Sequence, residues 1–199
     1  KFVTRGRFDP HNRAANMDLL DEGQLYCARF EADGTGSWIA LTLEAANAAA
    51  AAQGEPAFAD AGDLAMRVRA AAALLGATPM DRPEDVEAVR DGRWRGLGPV
   101  LIACTKSDAR EGAAAANPRR SGDEAAPRFN HAGHMIRLDE ADGDCGAERF
   151  SWDIFAMGGD PDAEMTRLRN GEQGAVGVDL NGAPTIRGAR CACPDNIFI

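Results

Sequence analysis

Residues 25–42 read LYCARF-EADGTG-SWIALT, and this stretch decides the fold of the chain. Its first and last six residues are short runs rich in apolar, aromatic and β-branched side chains, which are typical of strands. Between them, Asp33-Gly34 supplies the positive φ that a tight hairpin loop requires. The stretch therefore predicts a β-hairpin.

Further strand-like segments follow toward the C-terminus, separated by turns and by two long loops at 107–130 and 158–190. The segments lie at 86–89, 99–104, 134–138 and 149–155. Many short strands joined by turns and long excursions are typical of a propeller or sandwich rather than a wound α/β fold.

Helices are expected mainly in one short insertion, around residues 43–76. Residues 44–53 are nearly all alanine, which favours helix. A second helix is predicted to begin at the N-cap Asp60 and to end before Gly76, which suits the C′ position. The predicted fold class is therefore mainly β with a short helical insertion.

The composition describes a folded, acidic chain. With 199 residues and 45% hydrophobic content it can bury a sizeable core. The net charge of −9 argues against nucleic acid or an anionic membrane as a main partner. No stretch approaches the ~18 apolar residues of a membrane-spanning helix. The chain opens at Lys1 without an initiator methionine and ends in a strand-like run, so we expect a fragment cut at both ends.

Several metal-binding patterns fail on inspection of the sequence. The five cysteines include no CxxC pair, which argues against a structural zinc site. Cys191-Ala-Cys193 could chelate a metal or be redox-active, although two semi-buried thiols are the simpler interpretation. Residues 140–144 resemble a calcium loop, but Leu138 occupies the first ligand position, so a tight turn is predicted. His131 and His134 lack an HExxH companion, and His134 is expected to make a structural hydrogen bond.

Residues 79–85 read PMDRPED and combine an arginine, a proline and a glutamate in an unusual order. Pro83 disfavours helix at Arg82, which predicts an extended arginine. In an extended chain Arg82 and Glu84 face the same side. A guanidinium beside a carboxylate suits an oxyanion with a metal next to it. The alternative is a surface turn with an ordinary ion pair.

Several stretches, in the same order along almost the whole chain, resemble the bacterial PhoX-type alkaline phosphatases. They are KFVTRGR at 1–7, LLDEGQLY at 19–26, ARFEADGTG at 28–36, GATPMDRPED at 76–85, RFSWDIF at 149–155 with GDP at 159–161, and CPDN at 193–196. The DRPE and PDN motifs are the most specific of these.

This resemblance implies a β-propeller of which residues 1–199 form part of the single domain, truncated at both ends. It also implies an active site of ferric iron and calcium, with organic phosphate monoesters as substrates. Export by the twin-arginine route, a periplasmic or secreted location and a monomeric complete enzyme are expected on the same basis.

Carried over by motif, Arg82 would bind the substrate phosphate during catalysis, Glu84 would ligate the metal cluster, and Asp195 would be a further carboxylate ligand, with calcium preferred. The chain departs from the family at Lys106-Ser107, which replaces paired asparagines, and in an apparent insertion at 120–126. No cysteine here matches the family's iron ligand, so the isolated chain is expected to be inactive.

Two other functions are compatible with the sequence. One is a non-catalytic secreted propeller that binds a ligand or partner. The other is a calcium-dependent propeller hydrolase that acts on lactones or other esters. Two observations would distinguish a phosphatase from both alternatives. They are the metal ligands present in the complete protein and its activity on phosphate esters.

Overall fold

The computed structural model describes part of the chain, namely residues 1–89, 98–107, 115–118, 130, 132–158, 166–167, 173–174 and 194–197. The chain divides into two compact units. The first consists of Lys1–Arg29 and Ser37–Thr78, and the second of Phe30–Gly36 and Pro79–Ile199.

The first unit contains most of three neighbouring strands, β1 (Phe2–Thr4), β2 (Gly23–Phe30) and β3 (Thr35–Ala40). Strand β1 pairs antiparallel with β2, with Phe2 opposite Leu25. The predicted hairpin is confirmed as β2 and β3, which are adjacent in the sheet.

Three short helices complete the first unit: α1 (Leu43–Gln53), α2 (Ala61–Met66) and α3 (Val68–Leu74). The Thr42 hydroxyl caps α1 by accepting the Ala45 N–H at 3.2 Å. Asp60 caps α2 as predicted, because its carboxylate accepts the Asp63 N–H at 2.8 Å.

The prediction of one continuous second helix is wrong, since the chain leaves helical geometry at Arg67 (φ −107°, ψ 29°) and divides into α2 and α3. The Arg67 guanidinium lies 4.3 Å from the centroid of the Phe58 ring and bonds the Asp63 carboxylate at 3.1 Å. The break therefore coincides with a tertiary contact that the helical spacing does not encode. A buried cluster of Leu41, Ala46, Phe58, Leu64 and Ala71 forms the core of this unit.

The second unit is built on four antiparallel strands in the order β7-β6-β5-β4. They are β4 (Pro83–Ala88), β5 (Val100–Cys104), β6 (His134–Glu140) and β7 (Arg149–Met157). Each corresponds to a strand predicted from the sequence, with shifts of a few residues at the ends. A separate short pair joins β8 (Thr166–Arg167) to β9 (Gln173–Gly174).

Strand β6 shows why these residues form a sheet with one buried face. Its residues alternate strictly, from buried His134 through half-buried Met135 to buried Ile136, and so on to Glu140. The predicted tight turn at 140–144 is confirmed: residues Ala141–Gly143 form a short turn, with Asp142 at a positive φ of 57°, that leads toward β7.

The tip of the hairpin, residues 30–36, belongs to the second unit and lies beside β7. The Trp152 backbone N–H donates to the Gly34 carbonyl at 2.8 Å. Gly34 has the predicted positive φ, of 85°. The Phe30 ring packs edge-on against Phe150 and Trp152, with centroids 5.1 and 5.3 Å away. These aromatic contacts anchor the hairpin tip in the core of this unit.

The predicted mainly β class is confirmed, and the α-helices of the described residues all lie within 43–74. None of these helices has the length and apolar character needed to cross a membrane. Most of the two predicted long loops, together with Cys191 and Cys193, lies outside the described residues.

Candidate functional site

The DRPE motif lies at the start of β4, beside the end of β5. Pro83 is opposite Cys104, and Cys104 is opposite His134 on β6. The Arg82 carbonyl accepts the Thr105 N–H at 3.1 Å, which continues this pairing by one residue. The motif is therefore fixed to the sheet at the point where β4 begins.

The prediction that Pro83 forces Arg82 into an extended conformation is wrong, because Arg82 has a φ of 48°. Positive φ is uncommon outside glycine. The Arg82 N–H donates to the Met80 carbonyl at 3.0 Å, so the chain makes a tight turn there. Tertiary hydrogen bonds on either side of this turn override the local preference.

Arg82 and Glu84 nevertheless lie on the same side, as their spacing predicted. The Arg82 Nε donates to Glu84 Oε1 at 2.7 Å. The two side chains are 57% and 35% exposed, so the pair is accessible to a solute. Ion pairs this exposed contribute only about 0–1 kcal/mol to stability. Stability alone therefore gives little reason for the pair, and the roles of both residues in phosphate and metal binding stay predictions.

The turn before Arg82 is held by Asn117, a residue that the sequence analysis did not single out. Its Oδ1 accepts the Asp81 N–H at 2.7 Å, and its Nδ2 donates to the Pro79 carbonyl at 2.7 Å. Asn117 is 1% exposed. The Asn-Pro pair at 117–118 marks a turn in the sequence, but nothing in it indicates which segment the amide binds.

A buried histidine continues this polar cluster. The His134 Nε2 lies 2.9 Å from the Ala116 carbonyl, and its Nδ1 lies 3.1 Å from the Asn130 Nδ2. Because the Asn130 Oδ1 accepts the Gly133 N–H, the amide nitrogen faces His134 and donates. The His134 Nε2 therefore donates to the Ala116 carbonyl, and its Nδ1 accepts from the Asn130 amide.

The predicted structural hydrogen bond of His134 is therefore confirmed. Its possible metal-binding companion, His131, lies outside the described residues.

The PDN motif is brought to the same end of the sheet as the DRPE motif. The Ile197 N–H donates to the Asp85 Oδ2 at 2.7 Å. The Thr105 hydroxyl donates to the Pro194 carbonyl at 3.1 Å. Asp195 lies between these two contacts and is exposed. No local pattern in the sequence indicates that Asp85 and Thr105 bind this segment.

Cys104, which lies opposite Pro83 of the DRPE motif in the sheet, is an inert thiol. It is fully buried. Burial, followed by the nearby Asp81 carboxylate, raises the pKa of the Cys104 thiol to about 12. A thiol that stays protonated is a poor nucleophile and a poor metal ligand.

The donor atoms of the candidate site suit a hard cation in kind but do not form a complete centre. Carboxylates such as those of Glu84 and Asp195 are the ligands that calcium prefers. Within the part of the chain that the structure describes, no group of three or more His, Cys, Asp or Glu side chains is placed to hold a metal ion. Calcium takes about six to eight oxygen ligands, so more donors are needed than these two carboxylates supply.

Comparison with known proteins identifies the class to which this fold and site belong. The sequence model of the family described as "Alkaline phosphatase PhoX" matches residues 1–199, and the chain therefore belongs to the PhoX alkaline phosphatase family. The resemblance noted from the DRPE, PDN and other motifs is confirmed. None of the curated proteins matches the chain.

A solved structure agrees with this assignment. It is that of Pseudomonas fluorescens PhoX in complex with vanadate, a transition state analogue. The two chains are 28% identical and align with a TM-score of 0.64 over 91% of this chain. The match covers 32% of the P. fluorescens chain, so the present chain spans about a third of that protein's length. The mainly β, partial-propeller fold class predicted from the sequence is confirmed.

Proposed function

We propose that this chain forms part of a metal-dependent alkaline phosphatase that releases inorganic phosphate from organic phosphate monoesters. The observation that carries the proposal is the exposed Arg82–Glu84 ion pair at the end of the sheet where Asp85 also binds the PDN segment, within a chain of the PhoX family. The vanadate bound to the P. fluorescens relative supports a site for a phosphoryl group in transfer.

Arg82 is the residue that we propose binds the substrate phosphate. A planar guanidinium can donate paired hydrogen bonds to phosphate oxygens and carries a permanent charge. Its Nε donates to the Glu84 carboxylate at 2.7 Å. The guanidinium would hold the ester in a fixed orientation and stabilise charge that develops on the phosphoryl oxygens.

Glu84 and Asp195 are proposed as carboxylate ligands of the metal ions, which on the family resemblance are calcium and ferric iron. Bound metal would neutralise the charge of the ester and lower the pKa of a bound water. The Glu84 Oε1 is already engaged by Arg82, which fixes the direction of this carboxylate. The remaining ligands would come from other parts of the complete enzyme.

The setting of the enzyme is proposed from the same family resemblance. We propose a periplasmic or secreted enzyme, exported by the twin-arginine route, that acts as a monomer on small phosphate esters. A folded enzyme that keeps its metal ions during export suits this route.

The test is metal analysis and p-nitrophenyl phosphate hydrolysis by the complete enzyme and three variants. Arg82→Ala should retain the metal and lose affinity for phosphate, because arginine is not a metal ligand. Glu84→Ala and Asp195→Ala should lose both metal and activity, because each removes a carboxylate.

Arg137→Ala is the matched control. Arg137 pairs with Asp139 two residues later along a strand, through Nε at 2.8 Å, and has similar exposure. It should leave metal and turnover unchanged. If Glu84→Ala and Asp195→Ala keep wild-type metal and turnover, the assignment of these ligands is refuted.

The same assays decide between the phosphatase and its alternatives. A complete protein that binds metal but hydrolyses no phosphate ester would indicate a non-catalytic binding propeller. Hydrolysis of lactones or carboxylic esters, without release of phosphate from a monoester, would indicate the calcium-dependent esterase.

A further inference from the structure

We propose that Asn117 is a positioning residue that sets the direction of Arg82 toward the phosphate group of the substrate. This inference rests on the proposed function of Arg82. Asn117 binds the backbone on both sides of Met80, through the Pro79 carbonyl and the Asp81 N–H, each at 2.7 Å. It thereby closes the turn from which the Arg82 side chain departs.

The conformation of Arg82 explains why such a brace is needed. Its φ of 48° is unfavourable for a residue with a side chain, and the following proline restricts it further. Such a backbone persists only where the surrounding structure holds it in place. The Asn117 amide is 1% exposed, so water does not readily replace the bonds that it makes.

Asn117 is itself tied to the rigid sheet. The carbonyl of the preceding residue, Ala116, accepts a hydrogen bond from the His134 Nε2 at 2.9 Å. His134 begins β6 and is paired with Cys104, which is paired in turn with Pro83. A closed path of contacts therefore runs from β6 through Asn117 to the turn and back through β5. This path fixes the point of departure of the Arg82 side chain relative to the sheet.

Removing the amide should change phosphate binding without removing metal. In the complete enzyme, we expect Asn117→Ala to raise the inhibition constant of inorganic phosphate and the KM for p-nitrophenyl phosphate by roughly tenfold, since small displacements of a positioning group are costly. Metal content should stay at the wild-type level, because neither backbone group that the Asn117 amide holds belongs to a proposed metal ligand.

Asn117→Asp is the conservative variant. It retains the oxygen that accepts the Asp81 N–H, but its second oxygen cannot donate to the Pro79 carbonyl and repels it in a buried site. Its effect should therefore be at least as large as that of Asn117→Ala.

The chain contains a matched control in Asn47. Its Oδ1 accepts the Phe58 N–H at 2.7 Å, and its Nδ2 donates to the Phe58 carbonyl at 3.0 Å. Asn47→Ala thus removes the same kind of backbone brace from the helical insertion. It should lower the thermal midpoint of the enzyme while leaving the inhibition constant of phosphate unchanged.

Hydrogen exchange of the peptide that covers residues 79–85 supplies a readout independent of activity. Exchange of the Asp81 amide should be faster in Asn117→Ala than in wild type and unchanged in Asn47→Ala. If exchange accelerates but phosphate inhibits wild type and Asn117→Ala equally, the positioning role is overturned while the phosphatase stands.

The inference is also overturned if Asn47→Ala weakens phosphate binding as much as Asn117→Ala does, because the effect is then one of general stability. A wild-type enzyme that neither binds phosphate nor hydrolyses the ester overturns the proposed function, and the positioning role with it.

Discussion

Asp85 should control metal retention although it is not itself a proposed metal ligand. Its carboxylate accepts the Ile197 N–H at 2.7 Å and so holds the segment that carries Asp195. A second hydrogen bond joins this segment to the sheet end, from the Thr105 hydroxyl to the Pro194 carbonyl at 3.1 Å. Asp85→Ala in the complete enzyme should therefore loosen the PDN segment.

The size of the effect follows from these contacts. A hydrogen bond to a charged group contributes about 1.5–3 kcal/mol, and half-buried Asp85 belongs at the lower end of that range. A loss of about 1.4 kcal/mol corresponds to a factor of about ten in an equilibrium constant. We expect Asp85→Ala to weaken retention of the proposed metal about tenfold. Asp85→Asn keeps an acceptor and loses the charge, so its effect should be smaller.

Chelator titration with metal analysis measures this effect directly. Asp153→Ala is the control, since Asp153 Oδ1 accepts the N–H of its own neighbour Ile154 at 3.0 Å, much as Asp85 Oδ1 accepts that of Val86 at 2.8 Å. The prediction is refuted if Asp85→Ala retains the metal as tightly as wild type does, or if Asp153→Ala loses it equally.

Two further predictions concern stability. Trp152→Phe should lower the free energy of unfolding by about 1–3 kcal/mol, because the buried indole N–H donates to two hairpin carbonyls at 2.9 and 3.1 Å. Denaturant titration measures this, and an unchanged midpoint would contradict it. For Cys104, the thiol pKa is raised to about 12 in the folded protein, whereas the unfolded thiol ionises near its ordinary value of 9.0. The unfolded state therefore binds fewer protons above about pH 9, and stability should fall between pH 9 and 12. The free energy of unfolding should fall less steeply with pH across this range in Cys104→Ala than in wild type. Parallel curves for the two proteins would exclude the effect.

The strands and the first helix could be predicted from the sequence because their signals are local. Strand β6 alternates between buried and half-buried residues, and α1 is an alanine run that ends at Gly54 in a left-handed conformation. The division of the second predicted helix at Arg67 could not be predicted. It coincides with the contact between the arginine and the Phe58 ring, which depends on how the chain folds back.

In the candidate site, too, local features could be predicted and long-range contacts could not. The contact between Arg82 and Glu84 agrees with their predicted placement on one side, although the extended conformation from which that placement was argued is wrong. The brace from Asn117 reaches across 36 residues to Asp81, and the tether of the PDN segment reaches across 112 residues to Asp85. No local pattern in the sequence specifies such pairings, so the residues that position the site were missed.

The backbone of Arg82 bears on the choice between a functional site and an ordinary surface turn. A positive φ at a residue other than glycine costs about 1–3 kcal/mol. An extended Arg82 would avoid that cost, and an exposed ion pair with Glu84 offsets little of it. The buried Asn117 amide, with its two hydrogen bonds at about 0.5–1.5 kcal/mol each, is what holds the turn in this conformation. Because the hydrogen bonds of the buried amide only offset the unfavourable backbone of Arg82, the protein gains no net stability from this arrangement. This favours a functional role for the direction in which the Arg82 side chain points.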